Sequence, residues 1–477
     1  MLKIQTSSDP ISKAAQKFCR LVLTEESTSN HRLVETSNGF LEYRVGAGKR
    51  DKINPRTFRT LIRSVIQSVK NHHLESIAID FSTLTFPGLS VYDKNWLAST
   101  LVENILLANY QFTHYKTKKD TNCNLKEVTI FGLDDKEAKA GFARGLVTGE
   151  YVNQARDIAN TPACDMTPTA LGMKAIEMAK KNKKLSVKVL GEKELKKLKM
   201  GALLAVGQGT KSETKLIILE YWGAGKPSTK SANKDSSPII LIGKGVTYDT
   251  GGLNVKPSGS MHDMHLDMSG GSSVLAAVAC AAKLGLKKNI VALVPAAENA
   301  ISDDAMRAGD IVTAMNGKTI EVLHTDAEGR MILADALTYS ERYNPKVILD
   351  VATLTGAALV ALGQHASAVM TKDEGLAKLL GELGEKSGDL NWPLPLWDEY
   401  KQHLKSHRAD ISNIATNFSR YGGSIEGGTF LSYFAPKNIP WAHIDIAPRM
   451  DSIASDKLAK GSTGEPVRLL VAYLEQN

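Results

Sequence analysis

Four carboxylates and two lysines stand among glycines and small residues in the second half of the chain. Most of them fall in two segments, residues 243–252 and 324–330, and one carboxylate and one lysine lie between these segments. The carboxylates are Asp249, Asp267, Asp326 and Glu328, and the lysines are Lys244 and Lys256. If the carboxylates gather, they repel one another unless cations lie between them. Around divalent metals they would form a two-metal site, which holds the attacking and leaving oxygens in hydrolysis.

The types of these side chains favour a hard or borderline metal ion. Several carboxylate oxygens suit Mg²⁺, Mn²⁺ or Zn²⁺, whereas a structural zinc site would use cysteine and histidine. Each lysine could balance charge, ligate a metal as the neutral amine, or stay charged and stabilise an oxyanion. Arg330 carries a fork of donors that suits a planar carboxylate or carbonate. We expect His265 and His324 to be hydrogen-bonding neighbours rather than ligands.

Buried strands must position these residues, and apolar runs adjoin the charged segments. Residues 239–242 run into the first segment, and residues 319–323, predicted as another core strand, run into the second. Residues 347–351 form a further predicted core strand, followed by Ala352-Thr353-Leu354-Thr355-Gly356. Because ligand sites in open α/β sheets lie at the carboxyl ends of strands, we expect these segments to converge.

Strands and helices alternate along the chain, which is typical of α/β folds. We predict an N-terminal α/β domain over residues 1–160 that ends in a long linking helix, 134–160. A larger catalytic α/β domain follows over 161–477, with a mixed central sheet flanked by helices. Strands are expected at 39–45, 76–81, 127–131, 185–190, 203–206, 216–221 and 290–294, helices at 56–70, 96–110 and 168–184, and a solvent loop at 223–238.

Composition places the chain among ordinary globular proteins. Its 477 residues are 43% hydrophobic and 23% charged, and this length favours two domains. No apolar run approaches the ~20 residues of a membrane-spanning helix, and the N-terminus lacks the apolar stretch of a signal peptide, so we expect a cytoplasmic protein. The four cysteines are scattered, which argues against a zinc ribbon. The net charge of +8 permits nucleic-acid binding, but no nucleic-acid-binding motif accompanies the lysine-rich runs.

The combined motifs resemble the leucyl aminopeptidase (cytosol aminopeptidase) family, whose members are dinuclear metallo-exopeptidases. The family signature Asn-Thr-Asp-Ala-Glu-Gly-Arg is similar to residues 324–330, which read His-Thr-Asp-Ala-Glu-Gly-Arg. The family segment Gly-Lys-Gly…Asp-Ser-Gly-Gly is similar to residues 243–252, with Thr250 in place of serine. The spacing on to Lys256 and Asp267 also matches, and the resemblance runs from about Ala155 to the C-terminus.

The resemblance implies a metal-dependent aminopeptidase with two divalent ions per subunit, Mn²⁺ or Zn²⁺ with Mg²⁺ as a third candidate, in a homohexamer. It implies that one metal is bound by Lys244, Asp249, Asp267 and Glu328, and the other by Asp249, Asp326 and Glu328. Lys256 would polarise the scissile carbonyl and stabilise the tetrahedral intermediate. Arg330 would hold a bicarbonate that acts as general base toward a metal-bridging water. The substrate's free α-amine would bind one metal, so only N-terminal residues would be released.

The resemblance also implies a pocket for the first side chain of the peptide, with a leucine-type preference. Its lining positions would be Met264, Thr353, Gly356 and Ala447, and Leu354 matches a backbone contact near the bicarbonate. His324 departs from the family pattern, which usually has Asn at this position. We expect it to alter hydrogen bonding near the substrate, and metal preference and pH profile are the properties that it puts in question.

Two functions of other classes stay open at this point. A DNA- or RNA-binding protein on an aminopeptidase fold would use the positive net charge, and a broken ligand set would favour it, but every ligand position is intact. A metal-dependent hydrolase of non-peptide amides would keep the same metal ligands. Aminoacyl substrates beside blocked ones would separate the hydrolase from a peptidase.

Overall fold

The computed structural model describes residues 2–13, 18–28, 30–118, 125–226, 237–419 and 421–476. The chain divides into two compact units, Met1–Asn153 with Ser452–Lys460, and Gln154–Asp451 with Gly461–Asn477. Within the described ranges, every helix is too short or too polar to cross a bilayer. Most of the predicted loop at 223–238 lies outside the described residues.

The first unit is built around a six-stranded sheet. Its elements are β1 (Lys3–Ser7), β2 (Cys19–Thr24), β3 (His31–Glu35), β4 (Leu41–Gly46), α1 (Pro55–Asn71), β5 (Ser76–Asp80), α2 (Lys94–Asn109), β6 (Glu127–Phe131) and the first part of α3 (Lys136–Asn160). The strand order is β1-β6-β5-β2-β4-β3, and only the β3–β4 pair is antiparallel. Helix α1 begins after Asn54, whose side chain accepts hydrogen bonds from the backbone N–H groups of Arg56 and Thr57. Its apolar face packs against α2.

The second unit contains the remaining elements. They are α4 (Pro168–Lys180), β7 (Leu185–Leu190), α5 (Glu192–Lys197), α6 (Gly201–Gly207), β8 (Lys215–Trp222), β9 (Ile239–Gly243), β10 (Gly245–Asp249), α7 (Ser269–Leu284), β11 (Asn289–Asn299), β12 (Ile311–Thr313), β13 (Thr319–Glu321), α8 (Glu328–Ser340), β14 (Val347–Ala352), α9 (Gly356–Leu362), β15 (Ser367–Met370), α10 (Glu374–Ser387), β16 (Asn391–Pro393), β17 (Ile411–Ser412), α11 (Gly423–Ser432), β18 (Trp441–Asp445) and α12 (Val467–Gln476).

A mixed nine-stranded sheet forms the centre of this unit, in the order β16-β15-β18-β14-β9-β11-β8-β7, with β10 paired to β11. The four central strands β18, β14, β9 and β11 are parallel, so their carboxyl ends lie at one edge. Helices α7 and α8 pack against these strands. A separate three-stranded sheet joins β12, β13 and β17.

The predicted two-domain α/β architecture is confirmed, and two local predictions are wrong. Residues 203–206 belong to helix α6 instead of a strand, because a short apolar run without a clear period fits either element. The predicted core strand at 319–323 is the short β13, which pairs with β12 and β17 in the small sheet. Asp326 is therefore reached from the small sheet and not from the central one.

Helix α6 owes its start to a carboxylate that is distant in sequence. Asp335, on α8, accepts hydrogen bonds from the backbone N–H of Leu203 at 2.9 Å and of Met315 at 2.7 Å. The Asp335 side chain is fully buried. Burial raises its pKa to about 7, although these backbone donors act in the opposite direction.

This buried carboxyl gives a prediction about stability and pH. The folded state holds the Asp335 proton more tightly than the unfolded state does. The protonated carboxyl therefore adds its full contribution to the free energy of unfolding below about pH 4, and this contribution is lost as the pH rises through 7. Asp335→Asn cannot ionise. The free energy of unfolding of both proteins is measured in urea at pH 5 and pH 8. Relative to the variant, the wild-type value should fall between these pH values, by up to about 1.4 kcal/mol per pH unit below pH 7. A constant difference between the two proteins would contradict the prediction.

Candidate metal centre

Lys244 and Asp249 lie at the carboxyl edge of the central sheet. Lys244 follows β9 and precedes β10, and its backbone N–H donates to Val351 of β14 at 2.9 Å. Asp249 is the last residue of β10. The Lys244 side chain passes over Gly329, where a Cβ atom would come within 2.7 Å of Nζ. A side chain at position 329 would therefore displace the end of the lysine side chain from its place between the carboxylates.

The four carboxylates do gather, in pairs around the two ammonium groups. Lys244 Nζ lies 2.8 Å from Asp267 Oδ2 and 2.8 Å from Glu328 Oε1. Lys256 Nζ lies 2.8 Å from Asp249 Oδ2 and 2.5 Å from Asp326 Oδ1. Lys244, Asp249, Asp267 and Glu328 are all buried. The two ammonium groups thus stand between carboxylates in the way that metal cations could.

The pKa values of these groups follow from burial and mutual charge. Burial, reinforced by the neighbouring Asp249 carboxylate, raises the pKa of Asp326 to about 6 and that of Glu328 to about 7. Burial also raises the pKa of Asp267. Burial alone would lower the pKa of Lys244 and Lys256, but the surrounding carboxylates outweigh it and raise both values. Too much negative charge is therefore gathered here for the lysines to neutralise.

Two observations test whether these residues fit metal ions. Oxygens of Asp249, Asp326 and Glu328 lie within 4.8 Å of one another, close enough to share a cation. Asp267 Oδ2, Asp326 Oδ1 and Glu328 Oε1 are buried, contact the ammonium groups of Lys244 and Lys256, and accept no hydrogen bond from a neutral donor among the described residues. Carboxylate oxygens that are buried against cations are the ligands that a hard divalent cation prefers. The donor set therefore fits divalent metals.

Neutral side chains that sequence reasoning missed hold these segments together. Asn299, at the end of β11, donates to Asp249 Oδ1 at 2.8 Å and to the carbonyl of Thr325 at 3.1 Å. The Thr325 hydroxyl donates to the carbonyl of Gly251 at 2.6 Å, and its backbone N–H donates to Asn254 Oδ1 at 2.8 Å. The Asp249 and Asp326 segments are thus joined without additional charge.

Asn413 plays the same part for the segment before Asp326. Its Oδ1 accepts from the N–H of Leu323 at 2.8 Å and of His324 at 3.3 Å, and its Nδ2 donates to the carbonyl of His324 at 2.7 Å. Its own carbonyl accepts from Arg330 Nη1 at 2.7 Å. One buried residue therefore fixes both the approach to Asp326 and the guanidinium of Arg330. In the sequence, Asn413 is visible only as a single polar residue that follows a short strand.

Among the predicted substrate-binding residues, Thr353 contacts the carboxylate cluster directly. Thr353 Oγ1 donates to Asp267 Oδ1 at 2.7 Å, and the Thr353 carbonyl accepts from Lys244 Nζ at 2.9 Å. Leu354 and Gly356 follow it on the loop into α9, and a Cβ built on Gly356 would meet no atom within 4 Å. Ala447 begins the turn after β18, and Met264 begins the turn that carries Asp267.

His324 and His265, the two histidines near the carboxylate segments, have different surroundings. Nδ1 of His324 accepts a hydrogen bond from the backbone N–H of Asp326 at 3.3 Å, so the neutral ring carries its proton on Nε2. Burial, with Lys256 and Arg330 nearby, lowers the pKa of His324. His265 is half-buried on the turn that carries Asp267.

Comparison with known proteins shows the family of the chain. The catalytic-domain model of the cytosol aminopeptidase family matches residues 153–471, and its N-terminal-domain model matches residues 43–119. The chain belongs to the cytosol aminopeptidase family. It is accordingly a metal-dependent aminopeptidase, which releases N-terminal amino acids from peptides.

Individual relatives match most or all of the chain. A probable cytosol aminopeptidase of Saccharophagus degradans is 40% identical over 484 residues, covering 100% of this chain and 92% of that protein. Another probable cytosol aminopeptidase, from Histophilus somni, is 41% identical over 436 residues, covering 90% of this chain and 84% of that protein. Among solved structures, a tomato leucine aminopeptidase mutant has a TM-score of 0.86 at 28% identity, covering 100% of this chain and 97% of that one. The bottromycin maturation enzyme BotP in complex with Mn has a TM-score of 0.84 at 28% identity, covering 100% and 99%.

The hydrogen bonds of Asn413 to Leu323, His324 and Arg330, here called the Asn413 clamp, give a testable prediction for this aminopeptidase. Asn413→Ala leaves the buried N–H groups of Leu323 and His324 unpaired, which costs about 1–3 kcal/mol of stability. It also releases the Asp326 segment, and kcat/KM should fall by about 10- to 100-fold because small misplacements of reacting groups are costly. Asn417→Ala, at an exposed position on the same loop, is the control and should keep wild-type kcat/KM. Wild-type activity in Asn413→Ala would show that the clamp is dispensable.

Proposed function

We propose that Lys244, Asp249, Asp267 and Glu328 bind one divalent cation, and that Asp249, Asp326 and Glu328 bind the second. The observation that carries this proposal is the group of Asp249, Asp326 and Glu328 oxygens within 4.8 Å of one another, in a buried cluster whose four carboxylates face only two ammonium groups. Mn²⁺ or Zn²⁺ is the preferred pair, with Mg²⁺ as a third candidate, and the manganese in BotP supports Mn²⁺. Bound there, the cations would polarise the peptide carbonyl and make water a better nucleophile.

Lys256 and Arg330 are the catalytic side chains of the proposal. Lys256 Nζ stands at the more open side of the cluster, against Asp326, and can donate to the oxyanion that forms when the carbonyl is attacked. Arg330 is buried and held through Nη1 by the carbonyl of Asn413, while its Nε meets no hydrogen-bond acceptor among the described residues. That free donor supports the proposal that Arg330 holds bicarbonate, which would take the proton from water as general base.

The substrate of the proposal is a peptide with a free N-terminus and an apolar first residue, leucine above all. Met264, Thr353, Gly356 and Ala447 would surround its side chain, and the backbone of Leu354 would lie near the bicarbonate. The open space beside Gly356 supports this assignment. We place catalysis in the predicted domain 161–477, with 1–160 as the N-terminal domain. A cytoplasmic homohexamer is also proposed, on the family resemblance alone.

Hydrolysis of leucine p-nitroanilide by metal-stripped protein, refilled with Mn²⁺ or Zn²⁺, tests the proposed centre. N-acetylated substrate and a non-peptide amide form the comparison. We expect cleavage of the free-amine substrate alone, and only after refilling. Asp326→Ala should abolish turnover and lower metal content, because it removes a ligand from a loop, whereas the exposed Asp304→Ala should match wild type. Wild-type turnover and metal content in Asp326→Ala would refute the ligand assignment.

Lys256→Ala separates a catalytic lysine from a metal-binding one. Loss of an oxyanion donor should lower kcat by about 10²- to 10³-fold, or about 2.7–4 kcal/mol. Metal content, measured on the same preparation, should stay at the wild-type value. The exposed Lys287→Ala is the matched control and should leave kcat unchanged. If Lys256→Ala loses metal instead, Lys256 is a ligand and its proposed role is wrong.

A further inference from the structure

Two neighbouring loops carry four of the five predicted substrate-binding residues, namely Thr353, Leu354, Gly356 and Ala447. Strands β14 and β18 are parallel and end at the same level, with Ala352 opposite Asp445. The backbone N–H of Ile446 still donates to the carbonyl of Ala352 at 2.8 Å. Beyond this bond the chains separate, one toward α9 through residues 353–355 and the other into the turn Ala447–Arg449.

A single carboxylate bridges the two loops after they separate. Asp445 Oδ1 accepts from the backbone N–H of Leu354 at 3.1 Å, of Thr355 at 3.4 Å and of Ala447 at 3.1 Å. Its Oδ2 accepts from the Thr355 hydroxyl at 2.7 Å. Asp445 is fully buried, so water does not compete for these bonds.

We propose that Asp445 is the positioning residue that sets the width of the pocket for the first side chain of the peptide. This inference rests on the proposed function, in which Gly356 and Ala447 line that pocket. Neither residue has a side chain large enough to define a wall, so the pocket is bounded here by backbone. Its width therefore depends on where the two backbones are held.

The packing of helix α9 connects the position of Asp445 with the wall of the proposed pocket. Helix α9 begins at Gly356, directly after Thr355, and it packs against the turn that begins at Ala447. The Thr355 hydroxyl that donates to Asp445 also accepts from the N–H of Ala358, which caps the helix. A shift of Thr355 would thus move the start of α9 and the pocket wall together.

The chemistry of asparagine allows geometry to be separated from charge. In Asp445→Asn, the amide oxygen can keep the three backbone N–H donors. The amide NH₂ can donate to Thr355 Oγ1, which has a second lone pair for the N–H of Ala358. All four bonds can persist without the negative charge. Asp445→Ala loses all of them and leaves three N–H groups unpaired.

The test compares kcat/KM for the p-nitroanilides of leucine and alanine in wild type, Asp445→Ala and Asp445→Asn, each loaded with Mn²⁺. We expect Asp445→Ala to lower the leucine-to-alanine ratio by about 10-fold or more, since a hydrophobic pocket discriminates by about that factor. Asp445→Asn should keep the ratio within about threefold of wild type. Metal content should be equal in all three proteins.

Two results would overturn the inference. The first is an unchanged leucine-to-alanine ratio in Asp445→Ala, whatever happens to kcat. The second is an Asp445→Asn variant that is as unselective as Asp445→Ala, which would show that selectivity depends on the charge of Asp445. If Asp445→Ala does not fold, Thr355→Val replaces it, because it removes one of the four bonds to Asp445, together with the capping bond from Ala358, at nearly constant volume. The ratio should then fall by a smaller factor than 10, and an unchanged ratio rejects the proposal. Thr338→Val, on α8 away from the loops, is its control. Wild type that cleaves no free-amine substrate would reject the proposed function and this inference with it.

Discussion

The repulsion among four gathered carboxylates is the constraint on which the rest of the second unit depends. With all four ionised, Asp249, Asp267, Asp326 and Glu328 carry four negative charges against the two positive charges of Lys244 and Lys256, an excess of two. The raised pKa values of Asp267, Asp326 and Glu328 show the same imbalance, because protons are retained where cations are too few. Divalent cations would remove the excess and displace those protons. The site is built for more positive charge than the chain itself supplies.

This imbalance explains why neutral side chains hold the site together. Further lysines or arginines within the cluster would compete with metal ions for the carboxylates, whereas amides and hydroxyls can fix the backbone without adding charge. Asn299, Thr325 and Asn413 act in this way, each joining segments that are distant along the chain. The amide of Asn413 donates and accepts at once, which a carboxylate or an ammonium cannot do. Carboxylate positions are thus set by hydrogen bonds, and their charge is left for cations.

The gathering of the charged residues could be predicted from the sequence, whereas the neutral side chains that support them could not. The strands around Ile242 and Val351 and the motifs at Asp249 and Asp326 are visible because apolar runs and glycines are local signals. Short elements were not recoverable: α6 depends on Asp335, more than a hundred residues away, and β13 depends on partners in a small sheet.

The supporting side chains give even less local signal. Asn413 and Asp445 each lie at the end of a short strand and bind backbone some ninety residues away, by sequence separations of 90 and 91. In a single sequence, either one is indistinguishable from an ordinary polar residue that follows a strand. Their roles depend on which strands are neighbours, and that order is a property of the folded sheet.

Selectivity and metal binding meet in Thr353. Its hydroxyl binds Asp267, its carbonyl binds Lys244, and the next two residues bind Asp445. A substitution of Thr353 itself would therefore disturb two of the proposed metal ligands, Asp267 and Lys244, together with the proposed pocket. Gly356 and Ala447, the proposed pocket residues that form no hydrogen bond with the four clustered carboxylates, are free of this restriction. Changes in specificity that keep the metal centre intact should therefore occur beyond Thr353, at these two positions or at the hydrogen bonds to Asp445.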